Sequence, residues 1–407
     1  MQNPDAVELN LAFARRAIAL EDFEAAIATL ERLLIGRAGL PLIRLELGML
    51  YLRLEAPELA QAYFRQAIDD PTLAPDAKIR AETLLAAARK AGRRNSFAMS
   101  LRISAQHQSN AVTKPVLGDI QSQNELRQAI NPTWPDLSNQ SLPNLTADSD
   151  NSTQIALGIS YSRALNGLTK RRFTAGLHYF TMRYSDENLQ PLNIDVTSLR
   201  LGWLLPHANL PFSYNPYMSA TTLDTQETRN YSSSAAVGFS VNSQLFARVP
   251  MAFGVETKLK HHKRASDEDK DGEYYNMVLN FGYIHASGAY SALAIKADTM
   301  QADTDYESAS GSSVTLNHSW QFGGLDFTGN LGWRDNKRDG LEVLQNGVPV
   351  PDIIRHDEDL MVGFVAARKI LGIGVALGIN YIERDSTLPE QRYDNVTSSL
   401  SLTRRFQ

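Results

Sequence analysis

The sequence predicts a two-part fold, in which helical repeats precede a fourteen-stranded antiparallel transmembrane β-barrel. Apolar residues recur every three or four positions over residues 5–92, which is the period of an amphipathic helix. From Phe97 onward they alternate with polar residues, which is the period of a strand with one apolar face. The connections between these strands are long and short in turn, and the chain ends in an alternating segment that reaches Phe406.

Composition excludes several classes of function. The formal net charge is only -5, which gives no indication of nucleic-acid binding. There are no cysteines, so disulfides, thiolate metal sites and a cysteine nucleophile are excluded. The chain has no apolar run of about 18 residues or more, so no transmembrane helix is predicted.

Residues 1–94 are predicted to form the helical domain. Ala26 and Leu30 stand 34 residues before Ala60 and Phe64, and "LGMLYLRLEAPELAQAYFRQAIDDP" has the pattern of a tetratricopeptide repeat. The segment "APDAKIRAETLLAAARK" is predicted to add a fifth helix that caps the stack. The alternative is an unrelated bundle of five helices.

Small repeat domains of this type usually bind peptides or proteins in the groove that is lined by the first helix of each repeat. Such a groove would bind cargo here. Alternatively, the positions concerned belong to the core or to a solvated surface. The positions predicted to face the groove are Leu11, Arg15, Leu45, Met49 and Arg53.

Residues 95–407 are predicted to form the barrel. The segment "FAMSLRISAQ" places its apolar residues on one face, and the other face is predicted to line the lumen with Ser100, Arg102, Ser104 and Gln106. His178 is predicted to point into the lumen as well. With the strands that begin at Phe97 and Ile155, the count is fourteen, and the others are predicted near 171–183, 194–204, 212–222, 232–242, 245–259, 273–286, 289–300, 312–322, 325–335, 359–369, 373–381 and 393–406.

The connections favour a membrane barrel over a soluble β-domain. Long ones such as "SDENLQPLN" and "NKRDGLEVLQNGVPVPDIIRHDE" alternate with short ones such as "VNSQ" and "HASG". Outer-membrane barrels have short periplasmic turns and longer extracellular loops. An even strand number puts both barrel termini in the periplasm, so the barrel is expected in the bacterial outer membrane and the helical domain in the periplasm.

The first extracellular loop, 108–152, is unusually long and contains Trp134 and several prolines. We expect it to fold into the lumen or to cap the pore, and the alternative is a loop that lies on the surface.

Aromatic residues are placed as two girdles at the membrane interfaces would require. The alternative is a set of scattered core aromatics in a soluble β-domain. Those expected at the inner interface are Tyr161, Trp203, Trp320 and Phe406, and those at the outer interface are Trp333 and Tyr381.

No motif predicts an enzyme, a cofactor or a metal site. "DEDKDGE" places Asp267, Asp269, Asp271 and Gly272 at the spacing that starts a calcium loop, but Val278 stands where the bidentate glutamate should be. A charged surface loop is therefore expected. The eight histidines are scattered without a recognisable triad, and no Gly-rich phosphate loop follows a strand.

Three segments, "RISAQHQSNA", "LGISYSRAL" and "QRYDNVTSSLSLTRRF", together with the layout, resemble the surface lipoprotein assembly modulators of Gram-negative bacteria. The resemblance implies a non-enzymatic factor that moves proteins across the outer membrane. Its implied partners are periplasmic or surface lipoproteins or secreted protein cargo, outer-membrane lipids and the barrel assembly machinery, and a monomer is expected.

Other functions remain open on sequence alone. Exopolysaccharide export porins also join tetratricopeptide repeats to a barrel, normally with more repeats and sixteen strands. A general solute porin would leave the helical domain without a purpose. A structural anchor would require a sealed lumen.

Overall fold

The fold is described from a computed structural model. Contacts divide the chain into two compact units, one comprising Met1–Asn95 with Ala164–Thr169 and the other comprising Ser96–Arg163 with Lys170–Gln407. The residues that the structure describes are 4–20, 22–36, 40–54, 56–92, 95–111, 113, 149–165, 168–207, 210–226, 231–246, 248–343, 349–388 and 391–406.

Within the described residues, the helical unit contains five α-helices. No helix there has both the length and the apolar content needed to cross a membrane. The helices are α1 (Pro4–Ala19), α2 (Phe23–Gly36), α3 (Pro41–Arg53), α4 (Pro57–Ile68) and α5 (Pro75–Ala91).

Two pairs of helix starts share the same interval. α2 and α4 begin at Phe23 and Pro57, and α3 and α5 begin at Pro41 and Pro75, so each pair of starts is 34 residues apart. Proline suits the first helical turn because its missing N–H would have no partner there, and its fixed φ already matches the helix. The interval is that of the repeat seen in the sequence.

The core of this unit is built on small residues at equivalent positions. Ala26 on α2 and Ala60 on α4 are both fully buried. Gly48 on α3 lies so close to the Phe64 ring that a Cβ there would be 2.5 Å from Cε1. Small side chains at these positions let the helix axes approach closely, and the large side chains between them fill the remaining space.

A polar cluster joins three helices of this unit. The rings of Tyr51 and Tyr63 stack with centroids 5.4 Å apart. Both hydroxyls donate hydrogen bonds to Oε1 of Glu31, at 2.7 and 2.9 Å. Burial, followed by these hydrogen bonds, raises the pKa of each tyrosine to about 12.

The second unit is a closed antiparallel barrel in which β1 pairs with β14 and the other strands pair in chain order. The two-part layout and the fourteen-stranded antiparallel barrel predicted from the sequence are thereby confirmed. The fourteen strands in the described residues are β1 (Asn95–Gln108), β2 (Asp150–Leu165), β3 (Leu168–Tyr184), β4 (Ile194–Pro206), β5 (Phe212–Thr225), β6 (Ser232–Phe246), β7 (Val249–His262), β8 (Gly272–Ile284), β9 (Tyr290–Ala302), β10 (Ala309–Phe322), β11 (Leu325–Val343), β12 (Pro349–Ile370), β13 (Ile373–Ser386) and β14 (Tyr393–Phe406).

Two long connections contain 3₁₀ helices, Glu187–Leu192 and Ala265–Lys270. The prolines and Trp134 of the predicted first loop lie outside the described residues.

The turn predicted at "VNSQ" is wrong. β6 continues through this segment to Phe246, and Asn242 and Ser243 pair with Ala252 and Met251 of β7. A run of polar residues such as this one is typical of a turn, but polar side chains are also normal on the inner face of a barrel strand. The connection is instead a short one between Phe246 and Val249.

The long connection predicted between the eleventh and twelfth strands is mostly strand. β11 extends to Val343 and β12 begins at Pro349, with Lys337 paired to His356 and Leu341 paired to Ile354. Strand pairing needs only backbone hydrogen bonds, so it continues past the point where the apolar alternation ends. The sequence predicts strand only as far as the apolar alternation extends, so the predicted strands are shorter than those in the structure.

Candidate functional site

The inner and outer faces of the barrel are separated by strand parity. On β13, Leu377 is 61% exposed, and it alternates with Ala376 and Gly378 on the opposite face. The six aromatic residues predicted for the girdles all share the parity of the outward apolar side chains. The polar face therefore lines the lumen and is the candidate functional surface.

The five predicted lumen residues lie on this inner face. The Oγ atoms of Ser104 and Ser401 are 2.8 Å apart across the β1–β14 seam. Gln106 accepts a 2.8 Å hydrogen bond from Gln154 on β2. Ser100 and His178 both approach Gly158, where an added Cβ would be 2.8 Å from the serine Oγ and 3.4 Å from the imidazole Nδ1. Arg102 pairs in register with Thr403.

The five predicted groove residues of the helical domain do not share one environment. Leu45 is 4% exposed and packs in the core with Phe64, so its side chain serves packing. Leu11 and Met49 are partly buried against the two core clusters. Arg15 is exposed, and Arg53, also exposed, lies over the ring of Phe23 at 5.9 Å.

Sequence reasoning missed an inner-wall cluster on β4, β5 and β7. The guanidinium of Arg200 lies 3.5 Å from the ring centroid of Tyr217. The Tyr217 hydroxyl donates a 2.8 Å hydrogen bond to Oε2 of Glu256, passing over Gly238 of β6. Parity alone would have placed Arg200 and Glu256 on the inner face, because both stand between outward apolar residues.

Other inner-wall charges form compact ion pairs. Asp298 lies 3.1 Å from Lys296 and 3.5 Å from Arg334. Near the long-loop end, Arg384 contacts both carboxylate oxygens of Asp359 at 2.6 and 2.9 Å. Both oxygens of that carboxylate are engaged, which is the geometry of the stronger arginine–carboxylate pairs.

The acidic loop between β7 and β8 is engaged with the protein. Asp267 binds Lys270 at 2.6 Å, and this hydrogen bond lowers the pKa of Asp267. Burial raises the pKa of Asp271, but hydrogen bonds from His262 and His261 outweigh it and hold the pKa below its usual range. The Tyr306 hydroxyl donates to Asp269. Each of the three aspartates thus has a partner within the protein.

One group of side chains could hold a metal among the described residues. Asp335, His356 and Glu358, on the outer face of β11 and β12, offer ligand atoms that lie within 4.8 Å of one another. Nε2 of His356 is 2.5 Å from Oδ2 of Asp335, a distance that a hydrogen bond explains without a metal.

Comparison with known proteins finds solved structures that have a similar barrel. No family description and no curated protein matches the chain. The anion-selective porin from Comamonas acidovorans has a TM-score of 0.40 at 9% identity, covering 77% of this chain and 99% of the porin. The outer membrane channel DcaP of Acinetobacter baumannii has a TM-score of 0.41 at 8% identity, covering 77% and 97%.

A third solved structure, titled bacterial polysaccharide outer membrane secretin, has a TM-score of 0.37 at 11% identity and covers 76% of this chain and 98% of the secretin. The closed barrel resembles those of outer-membrane channels and porins. Similarities of this size concern the barrel alone and carry no argument about function.

Proposed function

We propose that this protein is an outer-membrane translocation factor that delivers lipoproteins to the cell surface or exports specific protein cargo. The observation that carries the proposal is the joining, in one chain, of a repeat-like helical domain to a fourteen-stranded barrel. The barrel has an apolar outer face and a polar inner face, as a membrane-spanning passage requires. The proposal involves no covalent chemistry.

Chain connectivity supports a periplasmic position for the helical domain. β1 begins and β14 ends at the barrel end that also carries the short connections, and α5 ends at Ala91, just before β1 begins at Asn95. Short connections face the periplasm in outer-membrane barrels. The helical domain would therefore meet cargo in the periplasm, and exposed Arg15 and Arg53 are candidates for contacting it.

The test compares cells that carry the full chain, no chain, or a chain lacking residues 5–92. Surface proteins are labelled and identified, and exopolysaccharide is measured on the same cultures. We expect selective loss of one surface or secreted protein in the second and third strains, with normal polysaccharide. Undiminished delivery by the shortened chain would assign the helical domain another role.

The shortened chain needs a control for assembly. Its barrel should remain in the outer-membrane fraction and should migrate differently in boiled and unboiled gels, because folded barrels resist detergent until they are heated. Loss of cargo delivery is evidence for a role of the helical domain only if the shortened chain retains this behaviour.

Export of an acidic polysaccharide is the second candidate. The observation that favours it is the exposed Arg200 and the half-buried Lys258 and Lys260 on the inner wall, which have no carboxylate within ion-pair distance among the described residues. Loss of polysaccharide with an unchanged surface proteome would support this function in place of protein translocation.

A further inference from the structure

The inner wall of β4 to β7 carries a patch in which basic side chains flank a floor of hydroxyls and small residues. We define the basic patch by Arg200, Lys258 and Lys260 with the floor between them. In register, Arg200 is followed across the strands by Ser219, Ala236 and Lys258. The adjacent row runs through Ser198, Thr221, Ser234 and Lys260.

The floor leaves room for a ligand. Three strand spacings of about 4.8 Å separate the Cα atoms of Arg200 and Lys258 by about 14 Å along the wall. The intervening inward residues are no larger than threonine. The Thr221 hydroxyl donates a 3.1 Å hydrogen bond to Ser198 Oγ, so its only proton is used, while the Ser198 hydroxyl remains able to donate to an oxygen ligand.

The two lysines are held together without a carboxylate between them. Their Nζ atoms lie 5.0 and 5.9 Å from the ring centroid of the same residue, Tyr274 on β8. Among the described residues, no carboxylate oxygen lies within 4.0 Å of a side-chain nitrogen of Arg200, Lys258 or Lys260. Two like charges over one ring repel each other, and a bound anion would relieve that repulsion.

The nearby acids are already engaged. Glu256, the acid on the same wall, accepts the hydrogen bond of Tyr217. The loop acids that face Lys260 are Asp267 and Asp271, which are bound by Lys270 and by the two histidines at the end of β7. Glu256 keeps its negative charge, because the tyrosine hydroxyl that donates to it is neutral, but the three basic side chains of the patch outnumber it. The patch therefore carries a net positive charge on the inner wall.

We propose that the basic patch binds oxyanions, meaning ligands that carry phosphate or carboxylate groups, and makes the lumen select anions over cations. Arginine recognises such groups with a planar fork of donors, and lysine supplies a point charge. Rings of basic side chains are a known means of anion selection in pores. The inference rests on the proposed membrane passage and not on the identity of its cargo.

The first test measures binding of inorganic pyrophosphate to the detergent-solubilised full chain by calorimetry. Low ionic strength is used because salt screens exposed charges. The variant Arg200→Gln/Lys258→Gln/Lys260→Gln should bind about tenfold more weakly or worse. Arg102→Gln removes one inward positive charge from β1, outside the patch, and should leave the affinity unchanged. All variants must retain heat-dependent gel migration.

Undetectable binding by the unaltered chain, or equal affinity in the triple variant, would overturn the proposal. An equal loss of affinity in Arg102→Gln would also overturn it, because general lumen charge and not the patch would then bind the anion.

The second test measures the reversal potential of the full chain in planar bilayers under a salt gradient. We expect anion selectivity, and a fall of about threefold in the anion-to-cation permeability ratio in the triple variant. Outward-facing Arg404→Gln is the control and should leave the ratio unchanged. Cation selectivity in the unaltered chain would overturn the proposal. Absence of conductance would count against the proposed passage, while pyrophosphate binding still decides the patch.

Discussion

Replacing Leu377 by arginine should destabilise the barrel far more than the same change one residue away. Leu377 lies on the outer face of β13, where it is 61% exposed, and it pairs in register with Leu400 and Ala366. It is the middle residue of an outward run that extends from Ile373 to Tyr381. Ala376 points to the inner face, beside Ser401 and Ala367.

The size of the effect follows from the depth of Leu377 in the membrane. The run from Ile373 to Tyr381 spans eight residue spacings, which is about 27 Å along the strand at about 3.4 Å each. A strand tilt of about 40° reduces this to about 21 Å along the membrane normal, close to the apolar band of about 25 Å in such barrels. Leu377 is therefore near mid-bilayer, where an arginine costs about 2–4 kcal/mol.

The assay is reversible unfolding in denaturant of the full chain refolded into lipid vesicles. Leu377→Arg should lower the free energy of unfolding by about 2–4 kcal/mol. Ala376→Arg places the same side chain in the lumen and should cost much less. Equal losses in the two variants, or a larger loss for Ala376→Arg, would refute the assignment of the inner and outer faces.

Two further predictions concern a strand start and the helical domain. Gly272→Ala would put a Cβ 2.1 Å from the carbonyl oxygen of Gln301, a backbone atom that cannot move aside. The free energy of unfolding of the barrel, measured in denaturant, should therefore fall by about 1–3 kcal/mol. Gly288→Ala is the control and should lower it less, because a Cβ there would meet no atom within 4 Å apart from those of the adjacent residues; equal losses in the two variants would exclude the clash as the cause. Tyr51 and Tyr63 have pKa values raised from 10.0 to about 12, so the unfolded chain loses these protons first. The contribution of the two tyrosines to the stability of this domain should be constant below pH 10 and fall between about pH 10 and 12. The tyrosinate absorbance difference between the full chain and the Tyr51→Phe/Tyr63→Phe variant should titrate near pH 12, and a difference that titrates near pH 10 would contradict the burial of the two hydroxyls and their shared hydrogen bonds to Glu31.

Much of the fold could be predicted because its signals are local. Alternation with a period of two assigns each barrel residue to one face, and for β13 it puts Leu377 and Ala376 on opposite faces. The 34-residue interval that relates Ala26 to Ala60 in the sequence likewise relates two fully buried positions in the structure. Local signals were weakest at the ends of elements, as the extension of β11 and β12 shows.

The candidate site required the tertiary structure. Parity could place Arg200 and Lys258 on the inner face, but it could not place them in the same row across the strands. They are separated by two intervening strands, and only the register of each hairpin brings them into that row. The burial of Leu45 was also undecidable from the sequence, because it depends on α4 and α5 packing against α3.

The sequence by itself thus determined the order of helices and strands, the number of strands and the face on which each barrel side chain lies. These properties follow from the backbone periods of helix and strand, which act over a few neighbouring residues. The tertiary structure alone decided which side chains are neighbours, where strands end and which charges are paired. Those outcomes depend on contacts between residues far apart in the chain, and a period of two carries no information about register between strands.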